Sequence, residues 1–190
     1  ILEMPESSAG ILTPLIIQAG GDYFDEDDRV SVDTELNARV MSKFAAWAAA
    51  GPSKLTADKT LNDGPGRKLT MDGYVLCWLT PDWRAGQDRL YLGPLAGKLK
   101  LMPLPAWEEG GRRTTVMGGT MIGIPKSNPK PEDALRVAVG LYSDPEIVRD
   151  MFAYTNIISP VKETWSDPIY DEPDPFYSGQ PNGRLFIDQA

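Results

Sequence analysis

Ile11, Leu12, Leu15 and Ile16 recur at helical spacing and stop at Gly20-Gly21, which predicts an amphipathic helix with a glycine C-terminus. Pro14 either kinks this helix or sits in its first turn behind Thr13 as N-cap. In DYFDEDDRVSVD, residues 22–33, the acidic centre reads as a turn between two short strands, with Val30 and Val32 alternating against polar neighbours. Leu36, Val40, Phe44 and Trp47 keep a helical period, with Asp33 as its cap and Gly51-Pro52 as its stop. From Gly51 to Gly73 the chain is polar and rich in breakers, centred on NDGPGRK, and predicts a loop with room for one short helix.

YVLCWL, residues 74–79, is a continuous apolar run ending at Thr80-Pro81, which suits a buried strand better than a helix. PDWRAG follows as a strand exit. Residues 98–105, KLKLMPLP, predict a second strand, and 114–125, TTVMGGTMIGIP, a third. Pro131-Glu132-Asp133 open a helix to about Tyr142, with acids at its positive end. Ser143-Asp144-Pro145-Glu146 has the pattern of a capping box for another helix, packed through Val148, Met151 and Phe152. Beyond Ile157 prolines and acids dominate until GRLFIDQA, which reads as the first turns of a helix. Strands mixed with helices and long connections indicate an α/β or α+β chain.

Composition narrows the chemistry. A net charge of -8 over 190 residues argues against a nucleic-acid binder, because neutralising phosphates needs a basic face. The chain has no histidine, which removes Ser-His-Asp and Cys-His catalysis and His-ligated zinc. Its one cysteine, Cys77, rules out an intramolecular disulfide and any CxxC metal site, and inside an apolar run it reads as a small buried hydrophobe. Asp25, Asp27 and Arg29 break the alternating oxygens of a calcium loop, so that hairpin reads as a solvated turn. No stretch is long and apolar enough to span a membrane. The chain opens at Ile1 without Met and is read as a mature or excised piece.

Two stretches carry candidate chemistry. Trp83 at a strand exit can stack on the apolar side of a pyranose ring, while Asp82 offers an acceptor and Arg84 a fork of donors. The plainer alternative packs Trp83 beneath the next loop and leaves Asp82 and Arg84 as a surface pair. Gly118-Gly119-Thr120 can mark a turn, a strand bulge, or a place where ligand meets bare backbone. Met121-Ile122-Gly123 after the glycine pair is no helix start, so the pair is not a dinucleotide fingerprint. Among 27 acids no spacing singles out a catalytic carboxylate pair. The five Trp and seven Tyr suit flat ligands such as sugar rings, although core packing is their commoner use.

The order of these pieces resembles the family-1 extracellular solute-binding proteins, the sugar-binding subunits of ABC importers. The resemblance runs from about Ser7 to the C-terminus. It is carried by QAGGDYFDED, DGYVLCWLTPDW, GGTMIGIPKSNPKPEDA with the following helix and SDPE, and DPFYSGQ. It implies a type II periplasmic-binding-protein-like α/β fold, represented mostly by its C-terminal lobe. On that plan residues 1–111 form the second lobe, 112–158 the segment that normally returns to the first lobe, and 159–190 a truncated return to the second.

The implied function is extracytoplasmic binding of a carbohydrate for delivery to a membrane permease, without catalysis, cofactor or metal. The implied location is periplasmic or extracellular, with a lipid anchor on the full-length parent left open. Trp83 matches a sugar-stacking aromatic, with Asp82 and Arg84 in the same loop, and Gly118, Gly119 and Thr120 match a stretch lining the cleft opposite. At Gly10, where some members carry an aromatic, there is none. The alternatives are an anionic solute such as a glycerol phosphate, held through Arg84, and a carboxylate-based glycosidase. Without a first lobe, the apolar faces of 112–158 are expected to be covered by self-association or by a first-lobe fragment.

Overall fold

The computed structural model describes residues 1–4, 9–49, 56–57 and 64–190. They form two compact units, the first from Ile1–Leu79 with Pro103–Met117, the second from Thr80–Met102 with Gly118–Ala190.

The first unit contains a three-stranded parallel sheet in the order β2-β1-β3, formed by β1 (Leu2–Glu3), β2 (Thr56–Ala57) and β3 (Cys77–Trp78). Leu2 pairs with Thr56 on one side and Cys77 on the other. Helix α1 (Ala9–Gln18) keeps Pro14 inside it, and helix α2 (Glu35–Ala49) packs on α1. Met4, Ile11, Leu15, Ile16 and Val40 make the core, with Trp47 and Trp107 packed against it. Helix α3 (Gly64–Met71) is the short helix for which the breaker-rich stretch had room. The rest of that loop prediction, 51–55 and 58–63, lies outside the described residues.

The glycine stop of α1 has a specific geometry. Gly21 N–H donates to Ile16 O and Gly20 N–H to Ile17 O, with Gly20 at φ 90°, the paired bonds of a Schellman motif. The acidic hairpin is reduced to one antiparallel bridge, Phe24 to Val30, in place of two short strands. Inside its turn the Asp25 carboxylate accepts from the N–H groups of Asp27 and Arg29. The cap of α2 is Thr34 and not Asp33: Thr34 Oγ1 accepts from Asn37 N–H at 3.1 Å. Asn37, 1% exposed, then donates to the carbonyls of Asp22 and Val32 and so pins both legs of the hairpin.

The strand expectations need correction. Among the described residues, only Cys77 and Trp78 of the 74–79 run belong to the strand ladder, beside Leu2 and Glu3, and Leu76 N–H donates to Ile1 O just before it. Val75 is buried, but Leu76 is 69% exposed and Cys77 is exposed as well, so the cysteine is not a buried hydrophobe. Residues 98–105 and 114–125 form no strand ladder. At Leu101 a side chain replaces the missing strand: Gln180 Oε1 accepts from Leu101 N–H and Gln180 Nε2 donates to Leu101 O, at 2.7 and 2.8 Å.

The second unit is helical: α4 (Asp82–Tyr91), α5 (Pro131–Ser143), α6 (Pro145–Thr155) and α7 (Asn182–Gln189), with 3-10 turns at Gly93–Leu95, Lys162–Ser166 and Pro168–Asp171. Helices α5 and α6 form a pair joined at Asp144, whose carboxylate accepts from Glu146 and Ile147 N–H, so Asp144 rather than Ser143 is the cap. Phe152 of α6 meets Tyr170 edge to face at 4.7 Å. Gly183 lets the start of α7 close on that pair, since a Cβ there would lie 2.6 Å from the Phe152 ring and 2.9 Å from Tyr170 backbone. Helix α5 is different, for none of its residues is buried.

Candidate functional site

PDWRAG is the start of a helix and not a loop. Pro81 occupies the N-cap of α4 in extended geometry, so Asp82, Trp83 and Arg84 make its first turn. The helical pattern of α4 is inverted: its buried face consists of Arg84, Ala85, Gly86 and Asp88. A search for apolar residues at helical spacing passes over such a face, which is why the element is hidden in the sequence.

Gly86 explains how closely α4 is held. A Cβ at this position would overlap the carbonyl of Thr155, so α4 and the end of α6 meet backbone to backbone. Asn156 follows at once, as the C-cap of α6, with φ 63° and no exposed surface. Its Nδ2 donates to Asp82 O at 3.1 Å, and its Oδ1 accepts from Arg89 Nη2 at 2.6 Å and Asn182 Nδ2 at 3.0 Å. Asp174 joins them, pairing with Arg89 at 2.8 Å and accepting from Asn182 at 2.8 Å. Buried charge in such a cluster is tolerable because each group is paired or hydrogen-bonded.

Tyr177 seals the other end of this network. Its hydroxyl lies 3.1 Å from Ala85 O and 3.3 Å from Asp88 Oδ2, with 1% of the residue exposed. Burial, and after it the Asp88 carboxylate, push its pKa far up, so the hydroxyl stays a donor at any physiological pH. These partners explain DPFYSGQ physically. Asp174 Oδ1 accepts from Phe176 N–H, Asp174 N–H donates to Gln180 O, Tyr177 plugs α4, and Gln180 holds Leu101. Farther along, the Arg184 guanidinium bonds Asp171 and holds its carboxyl below the usual range.

Of the six residues singled out in sequence, the structure brings Trp83 and Gly118 together. A Cβ built at Gly118 would lie 3.9 Å from Trp83 Nε1, ordinary contact distance. Crowding is therefore not what requires glycine there. The requirement is conformational: Gly118 has φ 99° and Gly119 φ 149°, both unfavourable for side chains with a Cβ. Gly118, Gly119 and Thr120 are exposed and Trp83 is half-buried.

The remaining two point elsewhere. Arg84 is 5% exposed on the inner face of α4. Asp82 spends its carboxylate on backbone, Oδ1 accepting from Trp83 N–H and Oδ2 from Ile158 N–H, both at 2.8 Å. Sequence reasoning missed Asn156, Arg89, Asn182 and Asp88 as supports of this corner. No local signal marks them, since their partners lie far along the chain.

Among the described residues no group of three or more acids or cysteines is placed to hold a metal ion, and no helix is long and apolar enough to cross a membrane.

No protein-family profile matches the chain. It is 28% identical over 178 residues to an arabinooligosaccharide-binding protein of Halalkalibacterium halodurans, covering 86% of this chain and 37% of that one. An arabinooligosaccharide-binding protein of Bacillus subtilis is 28% identical over 126 residues, 62% of this chain and 27% of its own length. The chain thus spans well under half the length of the curated relatives it matches. An ABC substrate-binding protein from Listeria monocytogenes, solved in complex with cycloalternan, superposes with a TM-score of 0.60 at 16% identity, over 99% of this chain and 45% of that chain. The resemblance read from the motifs is borne out: the chain is a homologue of the arabinooligosaccharide-binding proteins and has the fold of part of an ABC substrate-binding protein.

Proposed function

We propose that the protein binds a carbohydrate, an arabinooligosaccharide or related oligosaccharide, outside the cytoplasm and hands it to an ABC permease without chemical change. The observation that carries this is Trp83, half-buried on a helix start, with its indole edge against the exposed backbone of Gly118. An aromatic face offers sugar carbons a flat apolar platform, and glycine leaves backbone N–H and C=O groups within reach of hydroxyls. The names of the two curated relatives support the choice of ligand class.

On this reading the 190-residue chain supplies one wall of a cleft, and Trp83, Gly118, Gly119 and Thr120 face the sugar. The anionic alternative depended on Arg84, which lies on the buried face of α4 and is engaged within the protein. Calorimetric titration of the full-length parent against arabinotriose, maltotriose and glycerol 3-phosphate tests the proposal. Binding of a sugar is expected. Binding of the phosphate with no sugar bound would overturn it.

The same reading accounts for the uncovered apolar surface of the second unit. Met121 is 98% exposed, Val137 64% and Leu135 55%. In the isolated chain we propose that self-association covers it.

A further inference from the structure

We propose that Asp82 and Asn156 are positioning residues for Trp83, acting on affinity through the indole and not by contact with the ligand. The inference rests on the sugar-binding reading above. It departs from the expectation that Asp82 offers its carboxylate to hydroxyls.

Two bonds tie the first turn of α4 to the segment after α6, and a third, inside that turn, ties Asp82 to Trp83. Asp82 Oδ2 accepts from Ile158 N–H at 2.8 Å, Asp82 O accepts from Asn156 Nδ2 at 3.1 Å, and Asp82 Oδ1 accepts from Trp83 N–H at 2.8 Å. N–H bonds to an ionised carboxylate are stronger than bonds between neutral groups. One turn further on, Gly86 brings α4 against the Thr155 carbonyl, closing the clamp from below. Helix backbone sets side-chain direction, so a rotation of this turn carries the indole away from Gly118.

Asn156 has no exposed surface, so it cannot touch a solute, and any effect it has on binding must pass through other residues. Its left-handed φ of 63° is the geometry that turns the chain from α6 back toward Asp82. A stacking aromatic is useful only when held in one orientation before the ligand arrives, because ordering it on binding subtracts from affinity. Asp82 and Asn156 do that ordering in advance.

A double-mutant cycle on the full-length protein with arabinotriose as probe tests this. Trp83→Ala should weaken binding on the order of thirtyfold, as loss of a central aromatic anchor does. Asp82→Asn, isosteric, and Asn156→Gly, which keeps the left-handed backbone, should each weaken it roughly three- to tenfold. In the Trp83→Ala background the same two changes should cost less than about twofold, since their target is gone. Additive losses, or single variants with unchanged affinity, would overturn the proposal.

A readout without sugar separates this inference from the reading it rests on. The near-ultraviolet circular dichroism band that disappears in Trp83→Ala should shift or weaken in Asp82→Asn and in Asn156→Gly. An unaltered band refutes positioning even if sugar binds, whereas an altered band with no sugar bound by the wild type refutes only the choice of ligand.

Discussion

Asn156 donates its side-chain amide to the backbone carbonyl of Asp82, 3.1 Å away and 74 positions earlier in the chain. One residue thereby ends α6, anchors α4 and receives Arg89. Its replacement separates two effects. Asn156→Ala should destabilise by about 3 kcal/mol in urea unfolding, from unpaired buried groups and a left-handed backbone without glycine or asparagine. Asn156→Gly should recover about 1 kcal/mol of that loss, because glycine tolerates the φ of 63°. Equal losses in the two variants would show that the backbone conformation contributes nothing.

Gly86→Ala tests the backbone-to-backbone approach of α4 and α6. The new methyl group would collide with the Thr155 carbonyl, which α6 holds in place. Overpacking against backbone should cost about 2 kcal/mol or more, although alanine favours helix by up to about 1 kcal/mol over glycine. A variant as stable as the wild type would place that contact elsewhere.

Tyr177→Phe removes the hydroxyl shared by Ala85 O and Asp88. The expected loss is about 1–2 kcal/mol at neutral pH. The pH dependence has a definite sign. Burial first, and Asp88 second, raise the folded-state pKa, so the contribution is intact below the unfolded value near about 10 and fades as pH rises above it. The phenylalanine variant should lose part of that alkaline slope.

On the acid side, Asp171 behaves oppositely. The hydrogen bonds from Arg184 lower its folded-state pKa, so its contribution is present above the unfolded value near about 4 and disappears as pH falls through the folded one. Carboxyl carbon shifts followed by NMR should titrate below the usual aspartate range in the wild type. In Arg184→Met they should return to it.

Light scattering tests the uncovered surface of α5. The chain of 20.9 kDa should show a concentration-dependent mass above that of a monomer. Val137→Lys combined with Leu141→Lys, both at exposed apolar positions, should shift it toward monomer. A monomeric wild type at all concentrations would contradict the proposed self-association.

Helices announced themselves in the sequence through apolar spacing or through a Pro-acid start. α1 and α2 show apolar periods, and α5 and α6 show Pro-acid starts, that of α6 capped by Asp144, which accepts from Glu146 and Ile147 N–H. Strands did not, because an apolar run says nothing about whether a second strand lies beside it: residues 114–125 have the side chains of a strand and no ladder. Helix α4 was illegible for the opposite reason, its buried face being Arg84, Ala85, Gly86 and Asp88, with no large apolar side chain among them. At the site, Trp83 and the glycine pair could be picked out by type, but Asn156 could not. An asparagine after a helix is ordinary until its partner 74 residues away is known.

The central claim is that a sugar ring stacks on Trp83 beside the Gly118-Gly119 backbone. A crystal structure of the full-length protein with arabinotriose tests it most directly. The account predicts a ring lying against the indole face at about 4 Å, with hydroxyls bonded to the Gly118–Thr120 backbone. Arabinotriose bound with Trp83 touching only protein would contradict it.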